Sequence, residues 1–153
     1  MARSVDTLVT QSLLDRLSAT YDDAVTRASS LRSFRDSLKR DLEWLLNTRQ
    51  PPIDGIDAFP LARKSVIHYG LMDTSSLSLS SANDHKRLQQ AVGECIVAYE
   101  PRLTDVRVII ADNEEKRRRM RFHIEAQILL DPAPEPISFD TVLDLTSGEY
   151  TVS

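Results

Sequence analysis

The sequence predicts an α+β fold in which N-terminal helices pack on one face of a C-terminal antiparallel β-meander. In the first two thirds of the 153-residue chain, apolar residues recur every three or four positions, which is the period of an amphipathic helix. In the last third, apolar and polar residues alternate, which is the period of a strand with one buried face. Helices followed by consecutive strands are typical of an α+β domain with one core.

The N-terminal part is predicted to be a short helix and a linker. Residues 10–18 place three leucines on one face, whereas residues 21–29 are small or polar and show no apolar stripe. We therefore divide the chain into residues 1–29, a short helix with its linker, and residues 30–153, the main domain.

The strongest helical pattern covers residues 30–47. Its apolar residues lie three or four positions apart, namely Leu31, Phe34, Leu38, Leu42 and Leu45. Asn47 is able to adopt a left-handed conformation and end the helix, and Pro51 and Pro52 prevent the helix from resuming.

The middle of the chain alternates loops with helices. Residues 52–60 are predicted to form a loop, and residues 65–69 one helical turn that stops at Gly70. A serine-rich loop at residues 73–83 leads into a helix at residues 84–99, with Asp84 as its expected N-cap.

Alternation predicts strands around residues 106–110, 120–130 and 137–145, and a short last strand at residues 149–152. The basic run that contains Arg117, Arg118 and Arg119 falls between the first two strands. It is either a solvated hairpin tip or a docking patch for an acidic protein surface.

Composition limits the classes of function. The net charge of −4, from 19 basic and 23 acidic residues, gives no general attraction to nucleic acid or to an anionic membrane. No apolar run approaches the roughly 20 residues of a membrane span, and residues 1–11 lack a signal-peptide stretch. A single cysteine, Cys95, cannot form an intrachain disulfide, so we expect a cytoplasmic protein.

The sequence offers no constellation of catalytic or metal-binding residues. Cys95 lies on an apolar helix stripe, and the three histidines (His68, His85 and His123) match no metal-ligand spacing. Neither a nucleophile elbow nor a glycine-rich phosphate loop is present, so we expect neither catalysis nor a cofactor. A pair of facing carboxylates, as in glycoside hydrolases, is the enzymatic alternative that spacing does not exclude.

Glu100, Pro101, Arg102 and Leu103 form the most unusual segment. A glutamate in the last turn of a helix opposes the helix dipole, and an arginine two residues later is able to compensate it. Two interpretations are open: a local clasp between the two charges, or charges that face a partner protein.

Five segments together resemble the TssE family, the gene-25-like baseplate wedge proteins of contractile tails. In chain order they are SLLDRL at 12–17, DLEWLLNTR at 41–49, SVIHYG at 65–70, EPRL at 100–103 and FDT at 139–141. The resemblance spans about residues 10–152.

This resemblance implies a structural subunit of the type VI secretion baseplate. Such a subunit joins the baseplate proteins TssF, TssG and TssK and helps to start the sheath of TssB and TssC. The family ties its glutamate-proline-arginine motif, here Glu100 to Arg102, to assembly, which favours the partner-facing interpretation. Asn47, Thr48 and Arg49 are expected as a second interface, together with Arg117 to Arg119.

Two other functions remain as alternatives. One is a regulatory anti-adaptor of the same fold family, and the other is a peptidoglycan hydrolase. For sheath initiation we hypothesise that the strand at residues 149–152 is a free edge able to exchange a strand with a partner. On that hypothesis, Thr151→Pro impairs sheath recruitment and leaves the domain folded.

Overall fold

A computed structural model describes residues 12–17, 26–74, 78, 81–114, 118–130 and 133–153, with the side chains of the first strand described up to residue 111. The helices are α1 (Leu13–Leu17), α2 (Arg27–Asn47), α3 (Pro60–Arg63) and α4 (Ala82–Tyr99), with 3-10 turns at Ile56–Ala58 and Val66–His68. The strands are β1 (Leu103–Glu114), β2 (Arg119–Ile128), β3 (Glu135–Asp144) and β4 (Glu149–Val152).

The predicted architecture is confirmed. The four strands form one antiparallel sheet in the order β1-β2-β3-β4. On one face of this meander, α4 packs against β1, α2 packs against β4, and the two helices touch each other. The other face carries the polar residues of each strand, as the alternation of buried and exposed residues along β2, β3 and β4 shows.

Helix α2 begins three residues earlier than predicted. Thr26 is its N-cap, and a reciprocal capping box links the Thr26 and Ser29 side chains to the backbone amides of Ser29 and Thr26, at 3.1 and 3.2 Å. The predicted linker is therefore wrong for residues 27–29, which form the first helical turn. Its earlier part, residues 21–25, lies outside the described residues.

One more helix boundary differs from the prediction for the same reason, and the cap at the end of α2 differs as well. Helix α4 begins at Ala82 because the Ser81 hydroxyl caps it and accepts a hydrogen bond from the Asp84 amide at 3.2 Å. Asp84 thus lies in the first turn and is not the cap. Asn47 ends α2 as predicted, but it has no left-handed backbone, and Thr48 is the C-cap.

The helical turn before Gly70 is confirmed as a 3-10 turn. Gly70 has a φ of +110°, and a Cβ atom placed there would lie 2.4 Å from the Thr48 carbonyl oxygen. A glycine is therefore required where this segment crosses the end of α2, and the Leu71 amide donates to the same Thr48 oxygen at 2.8 Å.

The hydrophobic core lies between the helices and the inner face of the sheet. Fully buried contributors come from α2, α4 and three of the strands, namely Leu38, Leu42, Leu46, Val92, Ile96, Phe122, Ile124, Ile128, Leu143 and Tyr150. The buried Cys95 belongs to the same cluster, as its position on the helix stripe predicted.

Thr141 provides a test of this core. Its side chain is buried, and its hydroxyl has no hydrogen-bond partner. Valine has nearly the same shape and lacks the unsatisfied hydroxyl, so Thr141→Val is expected to raise the free energy of unfolding by about 1 kcal/mol. Chemical denaturation measures this change. A loss of stability of similar size would show that the hydroxyl is satisfied in solution.

Candidate partner-binding site

Glu100 and Arg102 form a local clasp where α4 ends and β1 begins. One carboxylate oxygen of the buried Glu100 accepts hydrogen bonds from the Arg102 amide at 3.2 Å and from its Nε at 2.6 Å. The other oxygen binds Nη2 of the same guanidinium. The pairing is bidentate, and it fixes the chain direction across Pro101 into β1.

Helix α2 supplies a third member of this site. The Asp41 carboxylate accepts a hydrogen bond from Arg102 Nη2 at 2.7 Å, and the guanidinium carbon lies 5.6 Å from the centre of the Phe34 ring. The bond to Glu100, followed by the bond to Asp41, raises the pKa of Arg102 above its ordinary value. Arg102 therefore joins α2 to the α4–β1 junction.

The ion pairs continue from Asp41 to the N-terminal helix. Arg40 Nη2 lies 2.9 Å from the second Asp41 oxygen, and Arg40 Nη1 binds the Asp15 carboxylate. The hydrogen bond from Arg40 is the main reason why the pKa of Asp15 lies below its ordinary value. We call Asp15, Arg40, Asp41, Glu100 and Arg102 the charge network; it has three carboxylates and two guanidiniums.

An aromatic cleft of about 310 Å³ opens beside the charge network. Trp44 forms one wall and is about half exposed. Tyr69 and Tyr99 lie edge to face with centroids 5.1 Å apart, and the Tyr99 hydroxyl donates to the His68 carbonyl at 2.6 Å. Exposed aromatic and arginine side chains around a cleft are typical of the centres of protein–protein interfaces.

Asn47, Thr48 and Arg49 make contacts within the chain. Asn47 donates to the Tyr150 carbonyl and accepts from the Tyr150 amide, both at 2.8 Å. The Thr48 hydroxyl donates to the Trp44 carbonyl at 2.7 Å, and Arg49 binds the Gly148 carbonyl. Asn47 and Arg49 fasten the end of α2 to the β3–β4 hairpin, whereas the Thr48 side chain bonds within α2; Thr48 and Arg49 remain exposed.

The hypothesis that β4 is a free edge is wrong. The outward-facing backbone of Tyr150 is already bonded to the Asn47 side chain, and the Val152 amide donates to Glu43 at 3.2 Å. Thr151 faces the other way and pairs with Val142 of β3. Proline at position 151 would therefore remove a hydrogen bond between β3 and β4, so Thr151→Pro is now expected to destabilise the domain and does not isolate an edge contact.

The basic run lies far from the charge network. Arg119 pairs with Glu114 at one end of the β1–β2 ladder, and Leu103 pairs with Ile128 at the other end. Arg118 has a left-handed backbone, with φ of 51°, and Arg119 binds Asp144 at 3.2 Å. Arg117 lies outside the described residues. The sequence motifs thus fall on two separate surfaces.

The described residues show neither a metal-ligand cluster nor a membrane-spanning helix. They contain no cluster of three or more histidine, cysteine and carboxylate groups that could hold a metal ion. His123 lies on the polar face of the sheet, where its Nδ1 is 2.8 Å from Asp140. No helix within these ranges is long and apolar enough to cross a membrane.

Cys95 gives a prediction about pH. Burial raises the pKa of its thiol to about 12, and the sulfur lies 3.2 Å from the Gly70 carbonyl oxygen. In the unfolded chain the thiol ionises at about pH 8.5, so folding stability is full below that pH and falls as pH rises above it. Cys95→Ala is expected to reduce this alkaline loss, measured by denaturation between pH 7 and 10. The same alkaline loss in both proteins would contradict the assignment.

The fold and the site define a small α+β protein whose exposed features suit contact with other proteins. Residues 32–133, two thirds of the chain, match the family described as baseplate wedge protein gp25. The chain belongs to this family of structural baseplate proteins.

A search of curated proteins finds no match. Among solved structures, a chain of "The baseplate complex from the type VI secretion system" is similar at 14% identity and a TM-score of 0.52. The match covers 78% of this chain and 95% of that one. At this identity the likeness shows a shared fold.

Sequence reasoning identified the Glu100–Arg102 pair and missed the rest of the charge network. Asp41 is 61 positions from Arg102, and Asp15 is 25 positions from Arg40. No local spacing connects such residues. The sequence feature that could have pointed to the charge network is the group of charged residues and the single tryptophan at residues 40–44.

Proposed function

We propose that this chain is a non-enzymatic structural component of the type VI secretion baseplate wedge, on the cytoplasmic side of a membrane-anchored apparatus. In this role it joins TssF, TssG and TssK and helps to start the TssB/TssC sheath. The observation that carries the proposal is the match of residues 32–133 to the baseplate wedge family, because that range contains the whole Glu100–Arg102 site. The similar fold in a type VI baseplate complex supports it.

The charge network supports a role in assembly in which Glu100 and Arg102 position the surface that a partner contacts. Glu100 is buried and bound by Arg102, so it does not reach a partner itself. It holds Arg102, and Arg102 holds Asp41 beside the aromatic cleft. The motif therefore acts by fixing the surface around Trp44, and the partner contacts that surface.

The outer edge of β1 supports the role in sheath initiation. The sheet ends at β1, and no described strand pairs with its outer side. The Gln89 side chain already binds the Val108 carbonyl on this edge, so a partner strand would pair beyond it, from the Ile110 amide onward. Because β4 is covered by α2, β1 is the edge that offers backbone groups to a strand from a sheath subunit.

A proline on the outer edge of β1 tests strand addition. Ile110 pairs with Phe122 two positions beyond the Val108–Ile124 pair, so its amide also faces outward. Ile110→Pro removes that donor and is expected to reduce sheath assembly at least several-fold in cells while the purified protein keeps its circular dichroism spectrum. Ile110→Val is the matched control. Normal sheath numbers with the folded proline variant would exclude this edge.

Co-purification from the native host tests the proposed function as a whole. A tagged copy is expected to bring down baseplate and sheath subunits, identified by mass spectrometry. A response regulator or protease adaptor as the main partner would instead support the anti-adaptor alternative. Release of peptidoglycan fragments, lost on replacing one carboxylate without loss of folding, would support the hydrolase.

A further inference from the structure

Helix α1 is oriented opposite to an ordinary amphipathic helix. It buries none of its residues, and Leu13, Leu14 and Leu17 are 69%, 52% and 76% exposed. A surface helix normally packs its leucines on the core and turns its charges to water. Here the hydrogen bond that the structure describes between α1 and α2 is made by the Asp15 carboxylate, and the leucines are more than half exposed.

Polar contacts hold α1 in this orientation. The Asp15 amide donates to the Ser12 hydroxyl at 3.3 Å, and that hydroxyl donates back to the Asp15 carboxylate at 2.6 Å. Asp15 also binds Arg40 of α2. With 3.6 residues per turn, Asp15 lies on the side of α1 opposite the three leucines. The bond to Arg40 therefore turns the leucine face away from the domain.

Trp44 lies near the Asp15 side of α1. The Arg40 guanidinium, which binds Asp15, also lies 5.0 Å from the centre of the Trp44 ring. One guanidinium thus connects the α1 helix to the half-exposed tryptophan. The exposed leucines of α1 are themselves the kind of apolar patch on which protein interfaces depend.

Charge indicates what the partner surface contains. Arg16 is exposed next to the leucine face, and it makes no ion pair in the part of the chain that the structure describes. The other charges near this surface, on Asp15, Arg40 and Asp41, are already paired with each other. Among the described residues of α1, an approaching surface therefore meets the leucine side chains and the positive charge of Arg16.

We propose that the leucine face of α1 docks into an apolar groove on a neighbouring baseplate subunit, with a carboxylate at the rim of the groove that pairs with Arg16. This inference rests on the proposed function and adds the surface that is used and the chemistry of its partner. A helix of five residues is unstable alone, and burial in such a groove supplies the missing stabilisation. The charge network would then connect this docking helix to the Glu100–Arg102 clasp.

The test measures binding of the purified chain to a purified complex of TssF and TssG. Replacing Leu13 and Leu17 together by serine is expected to weaken binding about tenfold or more. The matched control replaces Leu61 and Leu129, which are 87% and 55% exposed on other surfaces, and is expected to change affinity less than about twofold. The thermal midpoint is expected to be the same for all three proteins, because the replaced side chains are exposed.

A charge reversal at Arg16 tests the proposed carboxylate at the rim of the partner's groove. Arg16→Glu is expected to weaken binding and to remove part of its salt dependence, since an ion pair is lost. Equal affinity for the leucine variant and the unmodified chain would overturn the inference, as would equal loss with the control pair. A lower thermal midpoint of the leucine variant would place the leucines in the chain's own core and overturn it too.

Three outcomes separate this inference from its alternatives. If light scattering shows that the unmodified chain is a dimer and the leucine variant a monomer, the groove belongs to a second copy and the inference is wrong. If the unmodified chain itself fails to bind TssF and TssG, the proposed function fails. If the unmodified chain binds and the leucine variant binds equally, only the docking inference fails.

Discussion

Replacing Arg102 by alanine is expected to lower the free energy of unfolding by about 3 kcal/mol. Glu100 is buried, and Arg102 is the residue that binds its carboxylate, through two guanidinium nitrogens and the backbone amide. Removing one partner of a buried ion pair leaves an uncompensated charge, which is far more costly than the loss of an exposed pair. Urea denaturation of the two purified proteins measures the difference.

Two controls separate this effect from a general loss of charge. Arg119→Ala removes a half-exposed arginine that binds Asp144, and it is expected to cost less than about 1 kcal/mol. Arg102→Lys keeps the charge and loses the planar fork, so its stability is expected to fall between the alanine variant and the unmodified protein. Equal costs for Arg102→Ala and Arg119→Ala would contradict the buried clasp.

The loss of stability expected for Arg102→Ala affects how assembly experiments on the Glu100–Arg102 motif are interpreted. A loss of partners after Arg102→Ala would follow either from a missing contact or from a displaced α4–β1 junction. The lysine variant distinguishes these causes, because it retains a partner for Glu100. Full assembly with Arg102→Lys would support a positioning role for the arginine. Loss of assembly with a folded lysine variant would indicate that the guanidinium itself touches a partner.

Replacing Asn47 by leucine is expected to lower the free energy of unfolding by about 2 kcal/mol and to promote self-association. The Asn47 side-chain amide forms the two hydrogen bonds that a neighbouring strand would form, because it bonds to both the amide and the carbonyl of Tyr150. Each bond contributes about 1 kcal/mol. Without them the outer side of β4 presents unpaired backbone groups, which is a template for edge-to-edge pairing.

Hydrogen exchange and light scattering measure the two consequences. The Tyr150 amide is expected to exchange much faster in Asn47→Leu, and the apparent mass is expected to rise with protein concentration. Thr48→Ala is the matched control, since the hydrogen bond described for the Thr48 side chain goes to the Trp44 carbonyl of its own helix and not to β4. Unchanged protection of Tyr150 would show that Asn47 does not cover this edge.

Periodicity predicted most of the fold. The helix over residues 30–47 and the alternation of β2 and β3 come from apolar spacing, which burial on one face enforces. The errors are at helix starts, where the signal is a single hydroxyl. Thr26 and Ser81 cap their helices through side-chain bonds that an apolar pattern does not reveal. Propensity and period determine the body of a helix, whereas capping determines its first residue.

The candidate site was predictable only where it is local. Glu100 and Arg102 are two positions apart, and the sequence alone suggested their pairing. Asn47 and Tyr150 are 103 positions apart, so the covering of the β4 edge depends on how α2 crosses the sheet. The same limit hid the link from Asp41 to Arg102. Long-range pairs of this kind are set by packing, and no spacing in the chain encodes them.

The most direct test of the baseplate role is reconstitution with purified TssF, TssG and TssK followed by electron cryo-microscopy. The expected result is a stable complex in which a four-stranded meander with two long helices is visible against TssF and TssG. In that complex the Trp44 surface is covered, and β4 remains capped by α2. A chain that stays unbound at micromolar concentration, or that docks with the Trp44 surface facing solvent, would contradict the assignment made from this fold and site.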